Sequence, residues 1–234
     1  MNKIILGDSL NLIQELEDES IDLIATDPPY LIDYKTNRRT KTDKVRNKEG
    51  ILVDHDFKSV IQNDANPQLI TDIMPELYRV LKPDSAMYMF CSMDKVDFFK
   101  QEVEKYFNLK NIIIWVKNNH TAGDLEAQYA KKYEMILYAN KGRCKINGKR
   151  ITDVWYFDKV VGKNQVHQNE KPLDLMQEIV LKSSNPGDIV FDPFAGSGTT
   201  LFAAKSQGRK YLGYEIDEKY YNLVNGKLSQ STLF

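Results

Sequence analysis

The sequence predicts an α/β protein in which strands and helices alternate around one sheet. Short apolar runs of strand length are separated by segments of helical periodicity along most of the 234 residues. The composition, with 42% hydrophobic and 28% charged residues, is that of a globular protein with a full core. No apolar run reaches membrane-spanning length, and Asp8 interrupts the first apolar run too early for a secretion signal. We therefore expect a cytoplasmic protein with no membrane contact.

These patterns predict seven strands and six helices. The strands are expected at residues 3–6, 21–26, 86–91, 111–116, 134–139, 189–191 and 210–214. The helices are expected at residues 9–17, 68–81, 95–106, 173–182, 199–206 and 218–228. We expect Ser9 to cap the first helix, Pro83 to follow the second, and the turn at 185–188 to follow the fourth.

Two stretches, residues 33–66 and 140–168, lack convincing periodicity. The first is a long polar connection, and loops of that length are usually functional or disordered; the second is expected to be a small insertion built of hairpins. Although the formal net charge is -1, residues 33–50 contain seven Lys or Arg against three Asp or Glu, and residues 131–150 contain seven against one. Separate basic and acidic faces favour a nucleic-acid partner, and solvated charged loops are the alternative.

The cysteines and histidines predict neither a disulfide framework nor a metal site. The chain has only Cys91 and Cys144, which cannot assemble a four-ligand zinc site by themselves. His55, His120 and His167 are far apart and have no metal-ligand spacing.

A Gly-rich turn follows the strand at 189–191 and opens the helix at 199–206. Gly196 and Gly198 would let the backbone approach a ligand closely, and the N–H groups at the helix start favour anionic or polar groups. The turn lacks the Gly-Lys-Ser/Thr ending of a phosphate loop, and a plain structural turn is the alternative. Glu215 ends the next strand, where a carboxylate can accept both hydroxyls of a ribose, whereas Asp217 suits a helix N-cap. We therefore expect a site for a nucleoside cofactor.

The segment Asp27-Pro28-Pro29-Tyr30 follows the strand at 21–26. Prolines fix φ and remove backbone donors, so Asp27 and Tyr30 are expected on a stiff turn at the carboxyl edge of the sheet. Because α/β proteins bind their ligands at this edge, we predict that the chemistry occurs here. A turn that merely ends the strand is the alternative.

The two segments together resemble the motifs of the β-class DNA amino-methyltransferases. Residues 27–30 are similar to the catalytic tetrapeptide of that family, and residues 194–198, Phe-Ala-Gly-Ser-Gly, are similar to its S-adenosylmethionine motif. The tetrapeptide comes first in the chain, an order typical of the β class. The resemblance covers nearly the whole chain and implies the three-layer, Rossmann-like α/β fold of S-adenosylmethionine-dependent methyltransferases in a circularly permuted form. The helix at 218–228 should then lead in space to the strand at 3–6.

The resemblance implies methyl transfer from S-adenosylmethionine to N6 of a flipped-out adenine in double-stranded DNA. Cytosine N4 is the alternative acceptor, because both amines suit one mechanism, but Asp rather than Ser at position 27 favours adenine. Methylation of an RNA base is less favoured, because related RNA enzymes place the cofactor motif ahead of the tetrapeptide. A homodimer and a cognate restriction endonuclease are further partners that the resemblance suggests.

The same resemblance assigns roles to individual residues. The catalytic residues are Asp27, Pro28, Pro29 and Tyr30. The cofactor-binding residues are Asp8, Asp27, His167, Lys171, Asp192, Phe194, Ala195, Gly196, Ser197, Gly198, Thr199 and Glu215. For Asp8, a second N-cap of the first helix is the alternative. The DNA-binding residues are Lys35, Arg38, Arg39 and Lys41 in a mobile loop at 33–66, and Arg143, Lys145, Lys149 and Arg150 in a target-recognition region at 140–166. Residues 1–139 and 167–234 then form the catalytic and cofactor-binding domain.

Overall fold

The computed structural model describes residues 1–31, 66–120, 126–160 and 170–229, and the backbone of two short strands at 44–46 and 52–54. The strands are β1 (Lys3–Leu6), β2 (Ile21–Thr26), β3 (Lys44–Arg46), β4 (Leu52–Asp54), β5 (Leu81–Cys91), β6 (Asn108–Val116), β7 (Tyr133–Lys141), β8 (Val154–Tyr156), β9 (Ile189–Asp192) and β10 (Lys210–Glu215). The helices are α1 (Ser9–Leu12), α2 (Pro67–Val80), α3 (Val96–Glu104), α4 (Leu173–Ser183), α5 (Thr199–Ser206) and α6 (Glu218–Leu228), with 3-10 turns at Ile13–Glu15 and Met93–Lys95.

Within these residues, eight strands form one mixed sheet in the order β1-β10-β9-β2-β5-β7-β6-β8. The first five strands in this order, β1, β10, β9, β2 and β5, are parallel to one another. Strand β7 is antiparallel to both of its neighbours, β5 and β6. The chain winds outward from β9 to β10 on one side and from β2 to β5 on the other. The order therefore reverses between β9 and β2, which is where open α/β sheets bind their ligands. A separate antiparallel ladder joins β3 to β4.

The two ends of the described chain meet in the sheet. Strand β1 pairs in parallel with β10, with Leu6 opposite Glu215, and helix α6 packs against β1. Helix α6 thus leads in space from β10 to β1, as the permuted order predicts.

Helices cover both faces of the sheet. In β2, Leu23 and Ala25 pack on the face that α4, α5 and α6 cover, whereas Ile24 packs on the face that α1, α2 and α3 cover. A strand that is buried on both faces has a nearly continuous run of apolar residues in its sequence. This is why the sequence predicts β2 at its observed bounds. The predicted three-layer α/β fold is confirmed. Among the described residues, no helix combines the length and apolarity needed to cross a bilayer.

Several local predictions differ from the structure. The first helix, expected at 9–17, is α-helical only over Ser9–Leu12 and continues as a 3-10 turn at Ile13–Glu15. Asp8, not Ser9, caps α1: its side chain accepts a hydrogen bond from the Leu10 N–H at 2.8 Å, while the Ser9 hydroxyl donates to the Pro193 carbonyl. Strand β5 begins at Leu81 instead of residue 86, with Asp84 at a φ of 57° within it. Residues 142–160 contain no hairpin, because their one strand, β8, extends the main sheet in parallel to β6.

Candidate active site

The segment Asp27-Pro28-Pro29-Tyr30 leaves β2 at the carboxyl edge of the sheet, beside the point where the strand order reverses. Pro28 is buried, and the next residue, Leu31, adopts a φ of 58°. This conformation is strained for a residue with a side chain, and such strain is typical of functional turns. The turn thus holds Asp27 and Tyr30 in fixed positions, as the sequence predicts.

The Asp27 carboxylate has two differently placed oxygens. Its Oδ2 lies 2.6 Å from Nζ of Lys171, a side chain that is only 8% exposed. Its Oδ1 is buried and has no hydrogen-bond partner among the residues that the structure describes. Burial raises the pKa of Asp27, and the ammonium of Lys171 opposes that shift. One carboxylate oxygen is therefore fixed and the other is available for an N–H donor.

Lys171 links the tetrapeptide to strand β7. Its Nζ also lies 3.2 Å from Oε2 of Glu134 and donates a hydrogen bond to Tyr30 Oη at 3.0 Å. The Tyr30 hydroxyl in turn donates to Glu134 Oε2 at 3.0 Å. Lys117, directly after β6, forms a partly buried ion pair with Glu134 from the other side. Together with Asp27, these four residues form a largely buried polar network at the site.

The opposing charges in this network shift the titration of its members. Burial alone would raise the pKa of Glu134, but Lys171 and Lys117 lower it to about 2. Burial would lower the pKa of Lys171, but Asp27 and Glu134 raise it. Burial and the two carboxylates raise the pKa of Tyr30 well above its ordinary value. At neutral pH, Glu134 and Lys171 are therefore charged and Tyr30 is neutral.

The sequence does not single out Glu134 and Lys117 as site residues, and it assigns Lys171 to the cofactor. An ammonium has three N–H donors, and the three of Lys171 point to Asp27, Glu134 and Tyr30. The signal for the two missed residues is weak: Lys117 follows the apolar run of β6, and Glu134 lies near the start of β7. Only the antiparallel pairing of β6 with β7 brings both to one edge.

The Gly-rich turn connects β9 to α5 next to the tetrapeptide. Gly198 has a φ of 79°, and a Cβ there would lie 2.5 Å from Cγ1 of Val224 on α6. Gly196 has a φ of 49°, but a Cβ there would meet nothing closer than the Phe194 carbonyl oxygen at 3.9 Å. Gly198 thus permits close packing of helices, whereas Gly196 leaves open space along the backbone.

Glu215 ends β10 beside this turn. Its Oε2 accepts a hydrogen bond from the Gly196 N–H at 2.7 Å, and its Oε1 accepts one from the Asp217 N–H at 2.8 Å. Asp8 lies at the end of the neighbouring strand β1, because the Gly7 N–H bonds to the Glu215 carbonyl at 2.9 Å. Two carboxylates therefore flank the Gly-rich turn on the side away from Asp27.

Asp192 joins the two motifs through its buried carboxylate. Its Oδ1 accepts hydrogen bonds from the Thr26 hydroxyl at 2.8 Å and the Phe194 N–H at 3.1 Å, and its Oδ2 accepts one from the Thr200 hydroxyl at 2.7 Å. Burial raises its pKa to about 6 despite these bonds. Since Thr26 precedes Asp27, this side chain fixes the distance between the tetrapeptide and the Gly-rich turn.

The remaining residues of the Gly-rich turn have structural partners. Ala195 is buried and its N–H bonds to the Tyr214 carbonyl at 2.8 Å, while the hydroxyls of Ser197 and Thr199 lie 3.1 Å apart. Phe194 is half-buried. His167 lies outside the described residues. Among the described residues, no group of three or more His, Cys, Asp or Glu side chains is placed to hold a metal ion.

The predicted DNA-binding residues do not all lie near the tetrapeptide. Strand β7 runs away from the site, from Met135 opposite Cys91 to Lys141 opposite Ser85, a span of roughly 20 Å. Arg143 and Lys145 follow β7 and line a cleft at the opposite edge of the sheet. The side chains of Lys149 and Arg150 are exposed and come next in the chain. The structure thus places Arg143 and Lys145 apart from Asp27, while Lys35, Arg38, Arg39 and Lys41 lie outside the described residues.

The fold and the site together define a methyltransferase with the architecture of the S-adenosylmethionine-dependent class. Residues 21–226 match the model of the N6/N4 DNA methylase family, and the chain belongs to this family. One relative, the DNA adenine methyltransferase YhdJ of Escherichia coli, is 30% identical over 94% of this chain and 80% of its own length. Another, the type II methyltransferase M.HinfI of Haemophilus influenzae, is 28% identical over 98% of this chain and 69% of its own length.

Solved structures show the same architecture. The complex of M1.HpyAVI with S-adenosylmethionine superposes with a TM-score of 0.69 at 26% identity, over 98% of this chain and all of that one. The cytosine-N4-specific PvuII DNA methyltransferase superposes with a TM-score of 0.75 over all of this chain and 88% of that one, at 15% identity. The second likeness concerns the fold alone.

Proposed function

We propose that this protein transfers a methyl group from S-adenosylmethionine to N6 of a flipped-out adenine in DNA. The central observation is the unpartnered Oδ1 of Asp27. A buried carboxylate oxygen without a donor is costly, so an N–H group brought to Asp27 Oδ1 would form a favourable hydrogen bond. The exocyclic amino group of a base supplies that donor, and the Lys171 contact keeps the carboxylate in place to accept it.

The described residues fit a nucleoside cofactor next to Asp27. Glu215 presents a buried carboxylate whose oxygens each accept one backbone N–H and have lone pairs left for ribose hydroxyls. The open space above Gly196 lets a ligand approach the backbone. Asp8 uses Oδ1 to cap α1, which leaves Oδ2 for an adenine amino group. When bound, S-adenosylmethionine supplies the electrophilic methyl group.

The residues of the tetrapeptide then act on the acceptor. An aromatic amine is a poor nucleophile because its lone pair is delocalised into the ring. Hydrogen bonds to Asp27 Oδ1 and the Pro28 carbonyl favour a pyramidal nitrogen and stabilise the positive charge that develops on it. Lys171 lies 5.2 Å from the centroid of the Tyr30 ring, so the base stacks on the opposite ring face.

Adenine is the proposed acceptor, with cytosine N4 as the second candidate. The 30% identical relative from Escherichia coli is named an adenine methyltransferase, and Asp at position 27 favours adenine. The family model covers both amines, and the PvuII enzyme, a fold neighbour, is cytosine-N4-specific. Both bases present an amino group to the same carboxylate, so product analysis has to distinguish them.

The test is incubation with tritiated S-adenosylmethionine and double-stranded DNA of mixed sequence, followed by nucleoside digestion and chromatography. We expect label in N6-methyladenine with the wild type and with the exposed control Asp97→Asn, and none with Asp27→Asn. Label in N4-methylcytosine would replace the proposed base. Measurable cofactor binding without any labelled DNA would refute the proposal.

The partners follow from this function. Double-stranded DNA is the substrate, and the basic residues at 35–41 stay the predicted phosphate contacts, because they directly follow the tetrapeptide. Arg143 and Lys145 lie at the opposite edge and are not assigned to the same DNA segment. A target-recognition role for 140–166, a homodimer, a cognate endonuclease and a cytoplasmic location stay predictions of the family resemblance.

A further inference from the structure

The ammonium of Lys171 is shared by two carboxylates that have different surroundings. Asp27 Oδ2 lies 2.6 Å from Nζ, and Glu134 Oε2 lies 3.2 Å from it. Among the described residues, Asp27 has no other cation in contact, whereas Glu134 also pairs with Lys117. How closely Lys171 associates with Asp27 therefore depends on how far Lys117 neutralises Glu134.

We infer that Glu134 and Lys117 are positioning residues that set the pH range in which Asp27 is ionised and active. This inference rests on the proposed function, since it assigns a task to Asp27 in methyl transfer. A protonated Asp27 would not stabilise positive charge on the amino nitrogen, so ionised Asp27 is the active form. Glu134 acts on Asp27 by direct charge repulsion as well as through Lys171, and Lys117 acts through its ion pair with Glu134.

Most of this network is shielded from solvent, with the Asp27 side chain 25% exposed. The side chains of Lys171, Lys117 and Glu134 are 8%, 11% and 19% exposed. Charges in such surroundings are screened weakly by water and salt, so each one affects the others strongly. Lys117 is fixed in addition by its position 5.0 Å from the Trp115 ring and by the bond from its N–H to the Lys132 carbonyl at 2.8 Å.

The network contains two positive and two negative charges. When the charge of Glu134 is removed, Lys171 pairs with Asp27 alone. The undivided ammonium charge then stabilises the ionised Asp27 carboxylate. Removing the charge of Lys117 leaves Lys171 as the one cation among the described residues that contacts Glu134, and the ammonium is drawn away from Asp27. The two exchanges therefore shift the ionisation of Asp27 in opposite directions.

The exchanges also remove charges that act on other titratable groups around Asp27, among them Cys91 and Lys159. Burial raises the pKa of Cys91 on β5 to about 12, so this thiol stays neutral. Burial lowers the pKa of Lys159, which follows β8. The groups that interact with the network, one from each surrounding element, are Tyr30 from the turn, Cys91 from β5, Lys117 from β6, Glu134 from β7, Lys159 after β8, Lys171 before α4 and Asp192 from β9.

The test measures Asp27 directly and then measures activity. In full-length protein labelled with carboxyl-¹³C aspartate, the Asp27 signal, assigned by its loss in Asp27→Asn, is titrated by NMR. The midpoint is expected at lower pH in Glu134→Gln and at higher pH in Lys117→Met than in the wild type. The double variant removes one charge of each sign, so its midpoint should return toward that of the wild type.

The acid limb of the pH profile of kcat/KM for DNA methylation should move in the same directions. Two variants serve as matched controls. Glu102→Gln removes a buried carboxylate, and Lys82→Met removes a paired lysine at the opposite edge of the sheet. Neither should change the midpoint of the Asp27 titration. Shifts of the same sign in both single variants, or an unmoved Asp27 signal in either, would overturn the inference. If the NMR midpoints move as expected but the wild type methylates no DNA, the proposed function fails and the electrostatic coupling stands.

Discussion

The Glu215 carboxylate is hydrogen-bonded to the backbone of the Gly-rich turn, because its Oε2 accepts a hydrogen bond from the Gly196 N–H at 2.7 Å. Burial raises the pKa of Glu215, and bonds from the backbone N–H groups of Asp217 and Gly196 oppose that shift. Glu215 therefore both shapes the turn and presents its remaining lone pairs to the space beside it.

Replacing Glu215 by Gln should weaken the binding of S-adenosylmethionine. The amide presents an NH₂ group in place of one acceptor oxygen, so at least one charge-assisted hydrogen bond is lost, and affinity should fall about tenfold to hundredfold. Isothermal titration calorimetry measures the change. Glu218→Gln, an exposed exchange three residues away, is the matched control and should bind as the wild type does. Equal affinities of the two variants for S-adenosylmethionine would show that Glu215 does not contribute to cofactor binding.

Replacing Gly198 by Ala should destabilise the fold. The Cβ would lie 2.5 Å from Val224 Cγ1 in a residue with a φ of 79°, so overpacking and backbone strain add to about 2–4 kcal/mol. Gly187→Ala isolates the backbone cost, because Gly187 has a φ of 89° with no atom within 4 Å of its Cβ position. Urea unfolding should show the larger loss for Gly198→Ala. Equal losses would mean that α6 moves to accommodate the methyl group.

Replacing Gly196 by Ala should affect the ligand more than the fold. Its Cβ would enter open space, so the unfolding free energy should fall only by the left-handed backbone cost of about 1 kcal/mol. The methyl group would occupy the space that the cofactor approaches, and affinity should drop about tenfold or more. Calorimetric binding and urea unfolding of the same preparation distinguish the two effects. Unchanged affinity would place the cofactor away from this turn.

The bounds of β1, β2, α5 and α6 could be predicted from sequence because their signals are local. Strand β2 is an apolar run ended by Asp27-Pro28, and α6 begins after the N-cap Asp217. The start of β5 was missed because Lys82, Pro83 and Asp84 interrupt its apolar pattern, and only pairing with β7 keeps this segment extended. The hairpins expected after β7 do not form among residues 142–160, because the free edge of β6 accepts β8 instead.

The site was predictable where one segment supplies both chemistry and geometry, and less so where several strands contribute. The tetrapeptide and the Gly-rich turn are each one continuous segment of the sequence, so each segment suggests its own role. The ion pair of Lys117 with Glu134 depends on the pairing of β6 with β7, and the contact of Lys171 with Asp27 depends on how α4 starts against β2. The alternation of charged and apolar residues does not specify such contacts.

Replacing Tyr30 by Ala should impair DNA binding more than cofactor binding. The ring is the proposed stacking surface, and loss of one base–aromatic stack costs about 1–3 kcal/mol, so KM for DNA should rise about tenfold to hundredfold. Tyr30→Phe keeps the ring but removes the hydroxyl that joins Lys171 to Glu134, and it should retain most of the DNA affinity. Steady-state kinetics and calorimetry with S-adenosylmethionine check both. A larger effect on cofactor affinity than on DNA would contradict the stacking role.

Asp192 makes stability depend on pH in a direction opposite to that of most carboxylates. Its pKa is raised from an ordinary 3.8 to about 6 by burial, so the folded state holds a proton that the unfolded state releases between these values. Unfolding releases a proton in this window, and stability therefore falls as pH rises through it. Asp192→Asn removes this titration while its amide oxygen still accepts from Thr26 or Phe194.

The expected result is a change in relative stability. Between pH 4.5 and 7, the unfolding free energy of the wild type should decrease relative to Asp192→Asn by about 2 kcal/mol. Urea unfolding at several pH values measures this difference, and the exposed Asp97→Asn exchange corrects for the general effect of removing one acidic group. A constant difference across this range would mean that the bonds from Thr26, Thr200 and the Phe194 N–H keep Asp192 ionised in the folded protein, so that these bonds outweigh its burial.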